Sequence, residues 1–549
     1  MESIGYQYQL TLKCFLDYGM MFNPRQIIKY RDELQFTYEE HFERVKKLSN
    51  ALKYLGVEPG EAIGMLEWDT YRYLEAHWAI PLYGSLFHTV NVRMSPEQIE
   101  YCINHAEDKV IFLSTDFLSL IESMQDKLPT VKAYVIMTDD RSHLPIKTTL
   151  PNVIEYEELL TKVNADYEFP EISENSRATL CYTSGTTGNP KGVVFTHREL
   201  FMHAISIGMT WGLFPNGMEY RANQTYMMLT PMFHVQAWGG PYLAFMLGNK
   251  FILPGKYEPD KILRWLNDEK VDFSHCVTTI LHMLVFHPDA QKYDLSNWHV
   301  ALGGAKLNRQ LAERALELGI VAQSCYGMTE TCPAMTLGML KPEHYELSPH
   351  DKIKYYIKSG IPWVFAQFRV VDDDWNDVLH DDKTVGNIVV RTPWCTHEYF
   401  KEPEKTRELW KNDWLNTGDV GMIDKEGYLM VTDRNKDAIK SGGEWISTLT
   451  LEDVISQYPP VLECAVIGIP DEKWDERPCA FIALKEGQQA TPEDVYNWML
   501  EFAEDGVIEK WWIPDNPTGY IFIDAIPHNY IGKIEKTTLR KMYADIKKQ

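Results

Sequence analysis

The stretch Tyr182-Thr183-Ser184-Gly185-Thr186-Thr187-Gly188-Asn189-Pro190-Lys191-Gly192 decides how the rest of the chain is read. Glycines at 185, 188 and 192 let backbone N–H groups turn toward a ligand with no Cβ in the way. Four Ser/Thr hydroxyls and Lys191 add donors suited to phosphate oxygens. The G-x-x-x-x-G-K-[ST] spacing of a Walker A loop is absent. A plain surface loop is the competing reading, and it leaves the concentration of donors and the lysine unexplained. Ala178-Thr179-Leu180-Cys181 before the loop reads as a strand, and a helical segment is expected from near His197.

Outward from this loop, short apolar runs alternate with helix-period segments. Thr37-x-x-Glu40 is a capping box, followed by Phe42, Val45, Leu48, Leu52 and Leu55 at helical spacing, with Gly56 as the stop. Strands are expected at Ala62–Leu66, Val110–Leu113, Tyr134–Met137, Thr225–Leu229 and Trp298–Leu302, and helices at Glu199–Met209 and Asp260–Leu266. Repeated βαβα order predicts an α/β fold with parallel sheets covered on both faces. Val420–Val431 reads as strand, turn, strand, with the turn at Asp424-Lys425-Glu426-Gly427. Behind the charged stretch 433–443, strands at Cys464–Ile469 and Ala480–Leu484 and helices at Pro492–Phe502 and Glu535–Ile546 suggest a small α+β domain.

A chain of 549 residues exceeds what one core sustains, about 250–300 residues, so at least two domains are required. The reading divides it into residues 1–435 and 436–549. Composition is globular, 45% hydrophobic and 24% charged, which excludes a disordered or collagen-like chain. A net charge of −24 speaks against nucleic acid and anionic lipid as partners. Nine scattered Cys with no C-x-x-C pair read as reduced core thiols. No signal-peptide pattern opens the chain and no run of about 18 apolar residues could span a bilayer, so a cytoplasmic protein is expected. A homodimer is left open.

Further blocks follow the glycine loop in order: Tyr326-Gly327-Met328-Thr329-Glu330, Trp414-Leu415-Asn416-Thr417-Gly418-Asp419, Asp433-Arg434-Asn435-Lys436-Asp437, Ile439-Lys440-Ser441-Gly442-Gly443-Glu444 and Pro527-His528-Asn529-Tyr530-Ile531-Gly532-Lys533. Together with residues 182–192 they resemble the ordered motifs of the adenylate-forming superfamily, which includes acyl-CoA synthetases, adenylation domains and beetle luciferases. That resemblance implies a large N-terminal domain of layered sheets flanked by helices and a small mobile C-terminal domain. It also implies ATP, Mg²⁺ and coenzyme A as the molecules handled, with a small carboxylic acid. Taken singly, Glu330 would read as a helix-surface acid, Asp419 as a turn former and Lys533 as a solvated cap; in this order and spacing those readings lose.

By resemblance, Thr183, Ser184, Gly185, Thr186, Thr187, Gly188 and Lys191 hold the β- and γ-phosphates, while Thr187 and Glu330 bind Mg²⁺. Thr329 touches the α-phosphate, Tyr326 and Gly327 border the adenine, and Asp419 accepts the ribose hydroxyls with Arg434 assisting. Lys533 bridges the attacking carboxylate and the α-phosphate. Lys436 is the hinge, and Lys440, Gly442, Gly443 and Glu444 line the pantetheine channel after the small domain turns. Pro231–Gly239 resembles the family's aromatic block, with His234 near the substrate carboxylate and Trp238 beside the acyl tunnel; a core role for Trp238 weighs about equally. Gly303-Gly304-Ala305 resembles the loop that admits adenine and borders the acyl pocket. Thr448-Leu449-Thr450 departs from the pattern, since relatives often carry a proline there.

An AMP-forming carboxylate–CoA ligase is therefore expected, nearest to prokaryotic medium- and long-chain fatty-acid ligases. The alternatives are a ligase for a short hydroxy acid such as 3-hydroxypropionate or 4-hydroxybutyrate, and a stand-alone enzyme loading a carrier protein. An oxygenase like luciferase has no feature in its favour, and a nucleotide sensor would need neither Lys533 nor Glu330. The acidic composition is not reversed locally: residues 436–549 carry 12 Lys and Arg against 20 Asp and Glu. Two polyanionic ligands must be held by backbone amides, a metal ion and a few lysines.

Overall fold

A computed structural model describes residues 5–183, 189–215, 217–434, 438–441, 444–505, 507–528 and 534–547; of Arg434, Lys440, Glu444 and Trp445 it describes the backbone. The expected alternation produces two large sheets. The first has seven strands in the order Val153–Glu155, Ala133–Met137, Val110–Ser114, Ala62–Leu66, Leu86–Thr89, Arg177–Thr183, Lys191–Thr196. Neighbours are parallel except the last pair. Ala62–Leu66, Val110–Ser114 and Ala133–Met137 are buried at every position. That is why they read as unbroken apolar runs, as strands covered on both faces must.

The second sheet has nine strands among the described residues. Its parallel centre runs Val321–Gly327, His299–Gly303, Phe273–Val277, Thr225–Met227, Lys250–Leu253, Ile27–Tyr30, and antiparallel strands close both edges. The helix His197–Leu213, fixed at its start by the Thr196/Glu199 capping box, buries Leu200, Ala204, Ile207 and Trp211 in the core shared by the two sheets. Thr37 and Glu40 form the expected capping box, and Gly56 follows that helix at φ +73°. A third, antiparallel sheet is built on Gln367–Val371, Gly386–Arg391 and Trp414–Ile423, with Leu429–Arg434 paired back across the Asp424–Gly427 turn.

The small C-terminal domain has its own sheet, in which Val461–Asp471 and Asp475–Leu484 form a long hairpin. Helices Thr448–Ser456 and Pro492–Glu504 pack one face through Leu451, Val454, Val495 and Met499, and Lys536–Ile546 packs the other through Leu539. These cores are separate from those of the large domain. No helix of the described residues is long and apolar enough to cross a membrane.

The helix expected from near His197 begins there, and a strand that was not expected, Lys191–Thr196, stands between it and the glycine loop, antiparallel to Arg177–Thr183, with Thr183 opposite Lys191. Val193, Val194 and Phe195 are fully or almost fully buried, and their burial against both faces favours a strand over a loop. The expected strand Thr225–Leu229 is also shorter, ending at Met227, because Pro231 and the turn it opens take the chain out of the sheet.

Candidate active site

Residues on strands from all three sheets of the large domain make up the candidate site. Arg177–Thr183 and Lys191–Thr196 present Thr183 and Lys191 as a facing pair at the base of the glycine loop; Ser184, Gly185, Thr186, Thr187 and Gly188 lie outside the described residues. The loop's stem is tied from behind. His105 Nδ1 lies 2.8 Å from the Tyr182 hydroxyl, and the Gly192 carbonyl accepts from Phe400 N–H at 2.7 Å.

Val321–Gly327 ends in Tyr326 and Gly327, where a Cβ on Gly327 would stand 1.8 Å from the Pro333 carbonyl oxygen. Only glycine permits that approach. The short turn Thr329–Thr331 then delivers Thr329 and Glu330, and is fixed by Thr331 Oγ1, which accepts from Met328 N–H at 2.9 Å. Glu330 is buried, and its carboxylate accepts from the Tyr399 hydroxyl at 2.6 Å while its carbonyl accepts from Thr396 N–H at 2.8 Å. Lys191 Nζ stands over the Tyr399 ring at 4.7 Å. Burial first, and then the Glu330 charge, hold the Tyr399 phenol well above its ordinary range, so it stays a donor to Glu330.

Asp419 sits on Trp414–Ile423 in register with Arg434, whose side chain lies outside the described residues. Its carboxylate accepts from the Tyr326 hydroxyl at 2.8 Å, so the Tyr326 and Asp419 blocks, 93 positions apart, meet at one point. The backbone there is braced by Thr417, which accepts from Asp419 N–H at 3.1 Å and donates to the Ile388 carbonyl at 2.8 Å.

The Pro231–Gly239 block is anchored at several points. Asp69 accepts from Met232 N–H at 2.7 Å, and Thr89 donates to the Phe233 carbonyl at 3.0 Å. His234 packs on Phe233 with ring centroids 4.9 Å apart. The next five residues, Val235 to Gly239, all have positive φ, from 38° to 73°, a left-handed turn in which four members are not glycine. His275 holds it: the ring lies 3.0 Å from the Ala237 carbonyl through Nε2 and 3.0 Å from the Tyr226 hydroxyl through Nδ1. The carbonyl requires Nε2–H as donor, so Nδ1 accepts from Tyr226. Trp238 is thereby laid on the strand end His299–Gly303, where a Cβ on Gly303 would meet its ring at 2.8 Å. Gly304 follows at φ +82° and Ala305 is exposed; Lys306 then reaches Asp453 of the small domain at 3.6 Å.

In the small domain, Ile439–Ser441 and Glu444–Ile446 pair antiparallel; Gly442, Gly443 and the side chains of Lys440 and Glu444 lie outside the described residues, as do Lys436 and Lys533. Lys536 Nζ meets Glu452 at 2.9 Å and Thr448 Oγ1 at 2.5 Å, so the unusual Thr448 has a structural partner. The sequence reading missed Tyr399, Thr396 and His105. No spacing marks them, because each acts through a contact distant in sequence.

Comparison with known proteins identifies the family. Residues 22–400 match the family described as AMP-binding enzyme, and residues 450–533 match the AMP-binding enzyme C-terminal domain. The chain is 35% identical over 507 residues to a medium-chain-fatty-acid–CoA ligase of Ectopseudomonas oleovorans, covering 92% of this chain and 90% of that protein. It is 36% identical over 503 residues to a 3-methylmercaptopropionyl-CoA ligase of Ruegeria lacuscaerulensis, covering 91% and 90%. In fold it resembles a solved anthranilate CoA ligase in complex with anthranoyl-AMP, with a TM-score of 0.83, 23% identity and 99% of both chains covered. The chain belongs to the AMP-binding enzyme family and is an AMP-forming acyl-CoA synthetase.

Proposed function

We propose that the chain activates an aliphatic carboxylic acid of short to medium length with MgATP and passes the acyl group to coenzyme A in the same site. The observation that carries this reading is that blocks far apart in sequence meet: Lys191 and Glu330 both at Tyr399, and Tyr326 at Asp419. A base of donors for phosphate, a buried acid and a second acid suited to ribose hydroxyls are what adenylation needs.

In the first step a carboxylate oxygen attacks the α-phosphorus and the bond to the pyrophosphate oxygen breaks. Lys191 and the glycine loop hold the departing phosphates, and Lys533 bridges the two anions. In the second step the sulfur of coenzyme A attacks the acyl carbonyl carbon and AMP leaves. Glu330, held by Tyr399, and Thr187 are the residues that would hold Mg²⁺; a single buried carboxylate beside a phosphate site fits an ion bound mainly through phosphate oxygens. That ion supplies charge neutralisation between the phosphates. Asp419 orients the ribose, and Trp238 on Gly303 forms one wall of the acyl pocket.

The division at residues 435/436, the turning of the small domain about Lys436 and the channel role of Lys440, Gly442, Gly443 and Glu444 belong to the same reading. The antiparallel pairing of Ile439–Ser441 with Glu444–Ile446, the segments on either side of Gly442 and Gly443 in sequence, supports it. A cytoplasmic setting is supported by nine cysteines, all free. Relatives named for a medium-chain fatty acid, for 3-methylmercaptopropionate and, at 29% identity in Metallosphaera sedula, for 4-hydroxybutyrate bracket the acid. Lys533→Ala is the test: pyrophosphate release falls by about 10²-fold or more, while thioester formation from preformed acyl-adenylate is largely spared. Equal loss in both half-reactions overturns the rotation.

A further inference from the structure

Behind the left-handed turn, beneath the helix His197–Leu213, lies a cluster of buried rings. His203 meets Trp363 at 5.6 Å and Trp394 at 5.8 Å between centroids, and Trp363 meets Trp211 at 5.3 Å. The cluster reaches the pocket wall twice. Trp211 lies 6.4 Å from the His275 ring, which also meets Trp238 at 5.5 Å, and His203 Nδ1 is 2.9 Å from where a Cβ on Gly239 would stand.

These rings are at most 3% exposed, and five of their nitrogens have no hydrogen-bond partner among the described residues: both of His203, and Nε1 of Trp211, Trp363 and Trp394. Of the six buried indole nitrogens in that condition, three fall in this one cluster. Indoles outside it, at Trp68, Trp265, Trp410 and Trp498, all donate to a carboxylate or a carbonyl. An unpaired buried donor costs about 1–3 kcal/mol, so three indole donors in one cluster call for a partner.

We propose that this cluster is the inner end of the acyl pocket and selects an acid whose chain carries an oxygen acceptor, a hydroxyl above all. The inference rests on the acyl-CoA synthetase reading with Trp238 as a pocket wall. The logic is one of complementarity. Indole N–H only donates, so the missing partner is an acceptor. Burial keeps His203 neutral, lowering its pKa to about 3, so one ring nitrogen can also accept a proton from a hydroxyl. An alkyl chain of the same length satisfies neither, and sites built for a hydroxyl discriminate strongly against the analogue lacking it.

The test measures pyrophosphate release by the full chain with MgATP on matched pairs of four to eight carbons: butyrate with 4-hydroxybutyrate, hexanoate with 6-hydroxyhexanoate, octanoate with 8-hydroxyoctanoate. At one length or more, kcat/KM for the hydroxy acid is expected to exceed that of the parent by at least about tenfold. Trp363→Phe and Trp211→Phe, which keep a ring and lose the donor, should bring that ratio toward one. If every alkanoate matches or beats its hydroxy partner, or if the ratio survives both variants, the assignment is overturned. Silence toward every acid in the panel would instead bring down the synthetase reading beneath it.

Discussion

Two buried polar groups in this protein are built on opposite principles. Near the seven-stranded sheet, Arg44 is clamped between Glu75, at 2.6 Å, and Glu157, at 2.7 Å; Tyr156 donates to Glu75 at 2.5 Å and Tyr71 to Glu157 at 3.0 Å. The guanidinium and both carboxylates are all engaged, so the group is closed. The ring cluster around His203 is open, because five of its nitrogens have no hydrogen-bond partner among the described residues. The first kind of group locks a fold and the second marks a place where something else completes the bonding. Burial alone does not separate them; satisfaction does.

The sharpest way to break this contrast is Glu75→Ala. It leaves Arg44 and Tyr156 short of a partner and is expected to cost about 3 kcal/mol, read from urea unfolding followed by tryptophan fluorescence. The turnover of the molecules that remain folded should be unchanged. A loss below about 1 kcal/mol would mean that the closed group is not structural.

His203→Leu sharpens the other side through pH. Folded His203 is neutral down to about pH 3, whereas in the unfolded chain it takes a proton below about 6.5. The unfolded state therefore binds more protons in this window, and stability falls as pH drops from about 6.5 toward 3. At pH 5 this one residue accounts for about 2 kcal/mol. The variant should lose that much less than the parent between pH 7.5 and pH 5. An identical pH dependence would show that His203 is charged when folded.

The smallest effect is expected for Trp363→Phe. It removes an unpaired donor while keeping most of the apolar contact, so stability should change by under about 1 kcal/mol in either direction. A loss of 3 kcal/mol would reveal a partner for its N–H and move it to the closed class.

The sheets were legible wherever burial was continuous. Ala62–Leu66 and Val110–Ser114 are apolar at nearly every position because both faces are covered, and no tertiary detail was needed to see it. Lys191–Thr196 was missed because it begins with Lys191 and Gly192, residues that read as loop, while Val193, Val194 and Phe195 form too short a run to outweigh them. The family was legible through the order and spacing of its blocks, two of which meet in the contact of Tyr326 with Asp419. Tyr399 was not legible, since a tyrosine becomes a brace for a buried acid only when a fold brings Lys191 and Glu330 to it. Nor does anything in Val235-Gln236-Ala237-Trp238 announce positive φ; Val and Trp would ordinarily argue for an extended strand.

That left-handed turn bears on how this enzyme could change over evolutionary time. Left-handed backbone costs about 1–2 kcal/mol per residue with a Cβ, so Val235–Trp238 keep their shape only while His275, Tyr226 and Ala237 stay linked. A substitution at any point of that link would let the turn bearing Trp238 relax while the Tyr326–Asp419 and Tyr399–Glu330 bonds stay as they are. Substrate range in this lineage could drift through residues a comparison of pocket linings would overlook, with the nucleotide machinery left as it is.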